Sequence, residues 1–88
     1  MTVYVPGPLR SYTRNRSEVE AEGGTIGEVL LDLDARYPGM RFRMIDEQDQ
    51  IRRHIKLYVN QEEARTLETR VRAGDVVQIL CAISGGRT

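Results

Sequence analysis

The residues with the most distinctive chemical capacity in this 88-residue chain are the consecutive glycines of Ile83-Ser84-Gly85-Gly86-Arg87-Thr88. Two glycines directly after an apolar run can thread a narrow channel where any Cβ would collide, and can bring a terminal carboxylate to another protein's catalytic centre. A carboxylate so placed is a chemical handle. Residues 84–88 hold no side chain able to anchor them in a core, so they are expected to leave the domain as an extended tail; a frayed terminus reads the same way from these residues alone. The remaining reactive types are sparse. Cys81 is the single cysteine and His54 the single histidine, which excludes an intrachain disulfide and a clustered Cys/His metal set. At an inward strand position with no partner histidine in its sequence context, Cys81 reads as a small buried hydrophobe. His54, at a strand start, reads as solvated. Asp46, Glu47 and Asp49 lack the glycine and closing glutamate of a calcium loop, and Arg41, Arg43, Arg52 and Arg53 are interleaved with acids as a solvated surface would be. No acid–base, nucleophile or metal constellation emerges, so no catalytic residue, intrinsic cofactor or metal is assigned.

The elements that must deliver those glycines are legible along the chain. Thr2 to Val5 is β-branched or aromatic and stops at Pro6-Gly7-Pro8, after which LRSYT extends or resumes a strand. In SEVEAE, Val19 and Ala21 alternate with Glu18, Glu20 and Glu22, the pattern of a half-buried antiparallel strand that completes a hairpin. Thr25 and Glu28 form a capping box before Ile26, Val29, Leu30, Leu33 and Tyr37, which recur at helical spacing; one amphipathic helix is expected over about 25–37, ended by Pro38-Gly39. The following stretch, MRFRMIDEQDQIRR, is left irregular, with Phe42, Met44 and Ile45 placed under the helix and DEQDQ in a solvated turn. Ile55, Leu57 and Val59 mark the inner face of a central strand that ends at Asn60, with Lys56 and Tyr58 on its other face. Apolar marks at Leu67 and Val71 occupy the place of a short strand, and Ala73-Gly74-Asp75 turns the chain into VVQILCAI. There Gln78 marks the outward face, which turns Val77, Ile79 and Cys81 inward and leaves Val76, Leu80 and Ala82 outside. Leu80 is thereby a candidate partner-surface residue beside the tail.

Length and charge bound the function class. Thirteen Lys and Arg balance thirteen Asp and Glu, which argues against a nucleic-acid footprint or a polybasic membrane anchor and favours protein partners. No stretch approaches the roughly 20 apolar residues of a membrane span, and MTVYVPGPLR lacks the apolar centre of a signal peptide, so a cytoplasmic location is expected. A domain of this size builds one modest core. The expected plan is α+β: a mixed four- to five-stranded sheet with one main helix packed across one face, occupying residues 1–83, followed by the tail at 84–88.

The order of elements, the Gly74-Asp75 lead into an alternating strand, and the closing Ile83-Ser84-Gly85-Gly86 resemble the MoaD/ThiS family of ubiquitin-like β-grasp sulfur carriers over nearly the whole chain. Within it, the YPG turn, acidic turn, Arg-Arg pair and YVN strand are similar to the branch that serves cysteine biosynthesis. The resemblance implies that Gly86 is the covalent site, adenylated by an E1-like adenylyltransferase that uses ATP and then converted to a thiocarboxylate. Gly85 gives clearance in the partner's channel, with Ser84 and Ile83 as the neck. It further implies a sulfur-accepting synthase, cysteine synthase-like, as the next partner. Arg87 and Thr88 depart from carriers that end at Gly-Gly, since an amide at Gly86 cannot be adenylated; removal by a JAMM-type metalloprotease is the implied remedy. Two other readings stay open: a ubiquitin-like protein modifier or interaction module, and the small subunit of a molybdopterin synthase.

Overall fold

The computed structural model describes residues 1–82; Ile83, Ser84, Gly85, Gly86, Arg87 and Thr88, for which the resemblance implies the covalent, neck and removable roles, lie outside the described residues. Five strands form one sheet: β1 (Thr2–Tyr4), β2 (Glu18–Glu20), β3 (Ile55–Val59), β4 (Glu62–Ala64) and β5 (Val76–Cys81), in the order β2-β1-β5-β3-β4. β1 and β5 run parallel at its centre and every other neighbouring pair is antiparallel. This is the β-grasp arrangement.

One helix, α1 (Ile26–Arg36), begins as its sequence dictates. The Thr25 hydroxyl accepts from the Glu28 amide at 3.2 Å, satisfying one of the donors that a helix start leaves free. Glu28 in turn reaches past the cap and accepts from the Gly24 amide at 2.6 Å, so the reciprocal bond of the capping box is shifted one residue toward the strand. Ile26, Val29, Leu30 and Leu33 are fully buried against Val3, Leu57, Val77 and Ile79 of the sheet's inner face. Tyr37 caps the far end and packs partly on the core.

Four local features differ from the sequence expectation. Residues 7–9 form a 3-10 turn, followed by further turns, where a resumed strand was expected; the buried Thr13 hydroxyl bonds the Arg10 and Arg16 carbonyls and holds this loop closed. Met40–Met44 is a second helix, α2, whose Met40 and Met44 enter the core four residues apart. Phe42 is displaced from the expected set beneath α1: 59% exposed, its ring lies 4.6 Å from the Arg52 guanidinium, whereas Met44 and Ile45 are buried. Finally, β4 follows Asn60-Gln61 at once. Both residues have positive φ (49° and 78°), the geometry of a tight hairpin, so β4 precedes the apolar Leu67 and Val71. Leu67 instead packs partly on the core, and its carbonyl accepts from the Gly27 amide at 2.9 Å.

Candidate functional site

β5 is the last described strand, the one that leads into residues 83–88, and its start is clamped. Gly74 adopts φ 94°, and Asp75 accepts from the Arg72 amide at 2.8 Å, which folds the chain back before the strand. The Asn60 amide nitrogen then donates to Asp75 at 2.9 Å, while the Asn60 carbonyl oxygen accepts from the Val76 amide at 2.9 Å. One side chain thus ties the β3 hairpin to the first residue of β5. The bonds from Asn60 and Arg72 hold the Asp75 carboxyl below its usual range. Since the folded chain keeps Asp75 ionised at pH values where the unfolded chain already binds a proton, the stability this clamp contributes is full above the ordinary carboxylate range. It is lost as pH falls through that range toward the lower folded value. Thermal melts at successive pH values are expected to show a smaller acid-side fall in Asp75→Asn than in the unsubstituted chain; identical pH profiles would refute the clamp.

At the other end, the Ala82 amide donates to the His54 carbonyl at 2.7 Å, so backbone pairing persists to the last described residue. The His54 ring is exposed, as expected. Val77 and Ile79 are buried, whereas Cys81 is only half-buried, beside Leu9, Tyr12, Arg43 and His54 in a cleft of about 420 Å³. Partial burial raises its thiol above the ordinary cysteine value, so Cys81 is protonated at neutral pH and is a poor nucleophile.

The face of the sheet opposite α1 carries the outward residues of β5. Leu80 is 40% exposed and stands across from Lys56; Gln78 lies between Tyr4 on β1 and Tyr58 on β3. Val76 is also exposed, and a cleft of about 480 Å³ runs along Tyr4, Val76, Gln78, Asn60 and Gln61. Leu80 therefore belongs to a face on which Tyr4, Tyr58 and Val76 are also displayed. Sequence alternation puts each of these residues on an outward position. Only the strand order makes them neighbours, which is why Leu80 alone stood out.

Three of the four arginines, and Asp46, make contacts within the chain. Arg41 lies 3.3 Å from Asp49, Arg43 donates to the Tyr12 hydroxyl, and Arg52 donates to the Phe42 carbonyl at 2.8 Å. Asp46 accepts from the amides of Gln48 and Gln50, bonds that lower its carboxyl and close the DEQDQ turn. Among the described residues no group of three or more His, Cys, Asp or Glu side chains is placed to hold a metal, and no helix is long and apolar enough to cross a membrane.

The arrangement has a counterpart in known proteins: the profile of the ThiS family matches residues 3–86, a span that includes Leu80, Gly85 and Gly86. The chain belongs to the ThiS family. Its relatives include the sulfur carrier protein CysO of Mycobacterium tuberculosis, 38% identical over 91 residues covering 98% of each chain. The crystal structure of the Amycolatopsis orientalis BexX/CysO complex contains a chain that superposes with a TM-score of 0.91 at 39% identity, covering 97% of this chain and 98% of that one. The solution structure of small archaeal modifier protein 1 from Methanosarcina acetivorans gives 0.81 at 26% identity, over 97% and 94%. This ThiS-family chain is thus a ubiquitin-like β-grasp protein and a homologue of the sulfur carrier CysO.

Proposed function

We propose that the chain is a sulfur carrier whose working group is the Gly86 carboxylate, freed by removal of Arg87 and Thr88. The observation that carries this reading is the full-length similarity to CysO together with a family match that extends through Gly86. An E1-like enzyme joins a carboxylate oxygen of Gly86 to the α-phosphorus of ATP and releases pyrophosphate. Sulfur at the sulfide level, written as hydrosulfide, then attacks the acyl carbon, the acyl–phosphate bond breaks to release AMP, the proton on sulfur is lost, and a thiocarboxylate remains. Adenylation converts a poor acyl electrophile into one with a good leaving group, and holding the reactants together replaces a bimolecular encounter. The chain supplies no catalytic side chain to either step. A cysteine synthase-like enzyme is the proposed acceptor, a JAMM-type metalloprotease the proposed trimming partner, and the cytoplasm, where ATP is available, the proposed setting.

On this reading the Leu80 face docks the partner that receives the tail. Replacing Leu80 with serine is expected to leave the melting temperature within a few degrees of the parent, since the side chain is exposed, and to slow sulfur loading about tenfold at limiting partner. Loading at the parental rate would remove Leu80 from the interface. The carrier reading itself is tested by intact-mass analysis of the chain from its native host, which should reveal a form ending at Gly86 with one oxygen replaced by sulfur. Only forms retaining residues beyond Gly86 would speak against it. Similarity to small archaeal modifier protein 1 favours a second reading, a protein modifier, for which lysine-linked adducts ending in Gly86 would be the signature.

A further inference from the structure

The short β4 leaves part of β3 uncovered. β4 pairs only with Leu57, Tyr58 and Val59, whereas β3 reaches back to Ile55. Alongside that stretch runs an open groove of about 410 Å³, with Ile51, Ile55, Leu57 and Ala64 among its lining and Arg52, Arg53, Lys56 and Arg65 around it. Four cations there meet one acid, Glu63, and its carboxylate is divided between Lys56 Nζ at 3.6 Å and Arg65 Nε at 3.4 Å. Neither Arg52 nor Arg53 has a carboxylate within ion-pair distance among the described residues. In a chain whose charges balance overall, this is a local segregation of positive charge.

Three features make the groove suited to binding. Arg52 is already ordered, because its Nε donates to the Phe42 carbonyl and its guanidinium lies over the Phe42 ring. A partner therefore loses less side-chain entropy in engaging it. Backbone strand addition is restricted here, since the Ile55 amide already donates to the Arg52 carbonyl at 2.9 Å, so recognition must come chiefly from the charged side chains. Lastly, Lys56, which lines the groove, faces Leu80 across the β3–β5 pair, so the groove adjoins the sheet face that carries Leu80.

The geometry points to this groove as the binding site for an acidic, extended segment of a partner protein, one whose carboxylates engage Arg52, Arg53 and Arg65 while the partner's body covers Leu80. That the partner is one that handles the tail rests on the carrier reading; the preference for an acidic segment does not. A bound nucleic acid would want exposed aromatic platforms among the cations, and none of the residues lining the groove is aromatic.

Titration of the ¹⁵N-labelled full chain with a synthetic peptide of alternating Glu and Val is expected to shift amides within residues 52–57 and 64–65. The Gln counterpart should leave them unmoved, and salt of about 0.3 M should weaken the response by screening. Combining Arg53→Glu with Arg65→Glu, both exposed, should weaken peptide binding about tenfold. Absence of shifts, shifts confined to other residues, or an equal response to the Gln peptide would overturn the site. So would pyrophosphate or oligothymidylate shifting the same amides at equal or lower concentration, since the groove would then select a small anion or a nucleic acid. In a separate assay, the trimmed double variant should load sulfur about tenfold more slowly than the trimmed parent at limiting partner, and equal rates would overturn the partner role. If the trimmed parent loads no sulfur at all, the carrier reading falls and the peptide titration still decides the groove.

Discussion

Replacing Gly23 with alanine is expected to destabilise the fold by about 2–3 kcal/mol, the upper part of the range for forcing extra volume into a packed site. Gly23 lies where the chain passes from β2 to α1. A Cβ built there stands 2.7 Å from the Val29 amide nitrogen and 2.9 Å from both the Glu28 carbonyl carbon and the Glu28 Cβ. Two of these three atoms are helix backbone, and the Val29 amide makes the first helical bond, to the Thr25 carbonyl at 3.0 Å. The clash cannot be relieved by a rotamer change. Either the first turn of α1 moves off the sheet, loosening Ile26, Val29 and Leu30, or the β2 end shifts. For a domain of this size the loss corresponds to a fall of roughly 10–20 °C in melting temperature. Gly7→Ala is the matched control, since nothing lies within 4 Å of a Cβ there, and it should melt within a few degrees of the parent. If Gly23→Ala melts with the control, the close approach of Gly23 to the first turn of α1 is wrong.

A chain that keeps Arg87 and Thr88 through a protease-resistant linkage is expected to gain no sulfur, whereas the same chain ended at Gly86 should be loaded. The effect is all or none because its cause is chemical. An amide at Gly86 has no carboxylate oxygen to attack the α-phosphorus, so neither docking strength nor tail length can compensate. Comparing the two forms with one adenylating enzyme, ATP and sulfur donor, and reading pyrophosphate release, isolates the activation step. Pyrophosphate release that depends on the extended form would contradict the assignment of Gly86. Equal folding of the two forms, checked by circular dichroism, would tie the difference to the tail chemistry.

How far the sequence discloses this protein depends on the element. The Thr25 cap and the Ile26, Val29, Leu30, Leu33 stripe specify α1 locally, and the alternation in β2, β3 and β5 identifies the buried face of each. Elements without a periodic pattern or a strong propensity of their own were hidden. α2 spans five residues, too few for a periodic pattern to stand out between its arginines. β4 is Glu-Glu-Ala, a sequence with no strand preference of its own, and exists because the Asn60-Gln61 turn lays it against β3. The loop after Pro6 turns on the buried Thr13 hydroxyl, whose two carbonyl partners become meaningful only once that loop has folded. At the candidate site, Leu80 was readable from the position of Gln78, and Cys81 was correctly turned inward but is less buried than its place in the alternation implied. The companionship of Tyr4 and Tyr58 with Gln78 required the strand order, because β1 and β3 lie far apart in the chain and meet only through β5, and the groove beside Lys56 required the short β4.

The central claim is that Gly86 carries sulfur as a thiocarboxylate. Its most direct test is tandem mass analysis of the C-terminal peptide from the chain ended at Gly86, after incubation with the adenylating enzyme, ATP and sulfur donor. The predicted result is one oxygen replaced by one sulfur at Gly86 itself. An unchanged peptide in the presence of enzyme that turns over ATP, or Gly86 joined through an amide to a lysine, would contradict it.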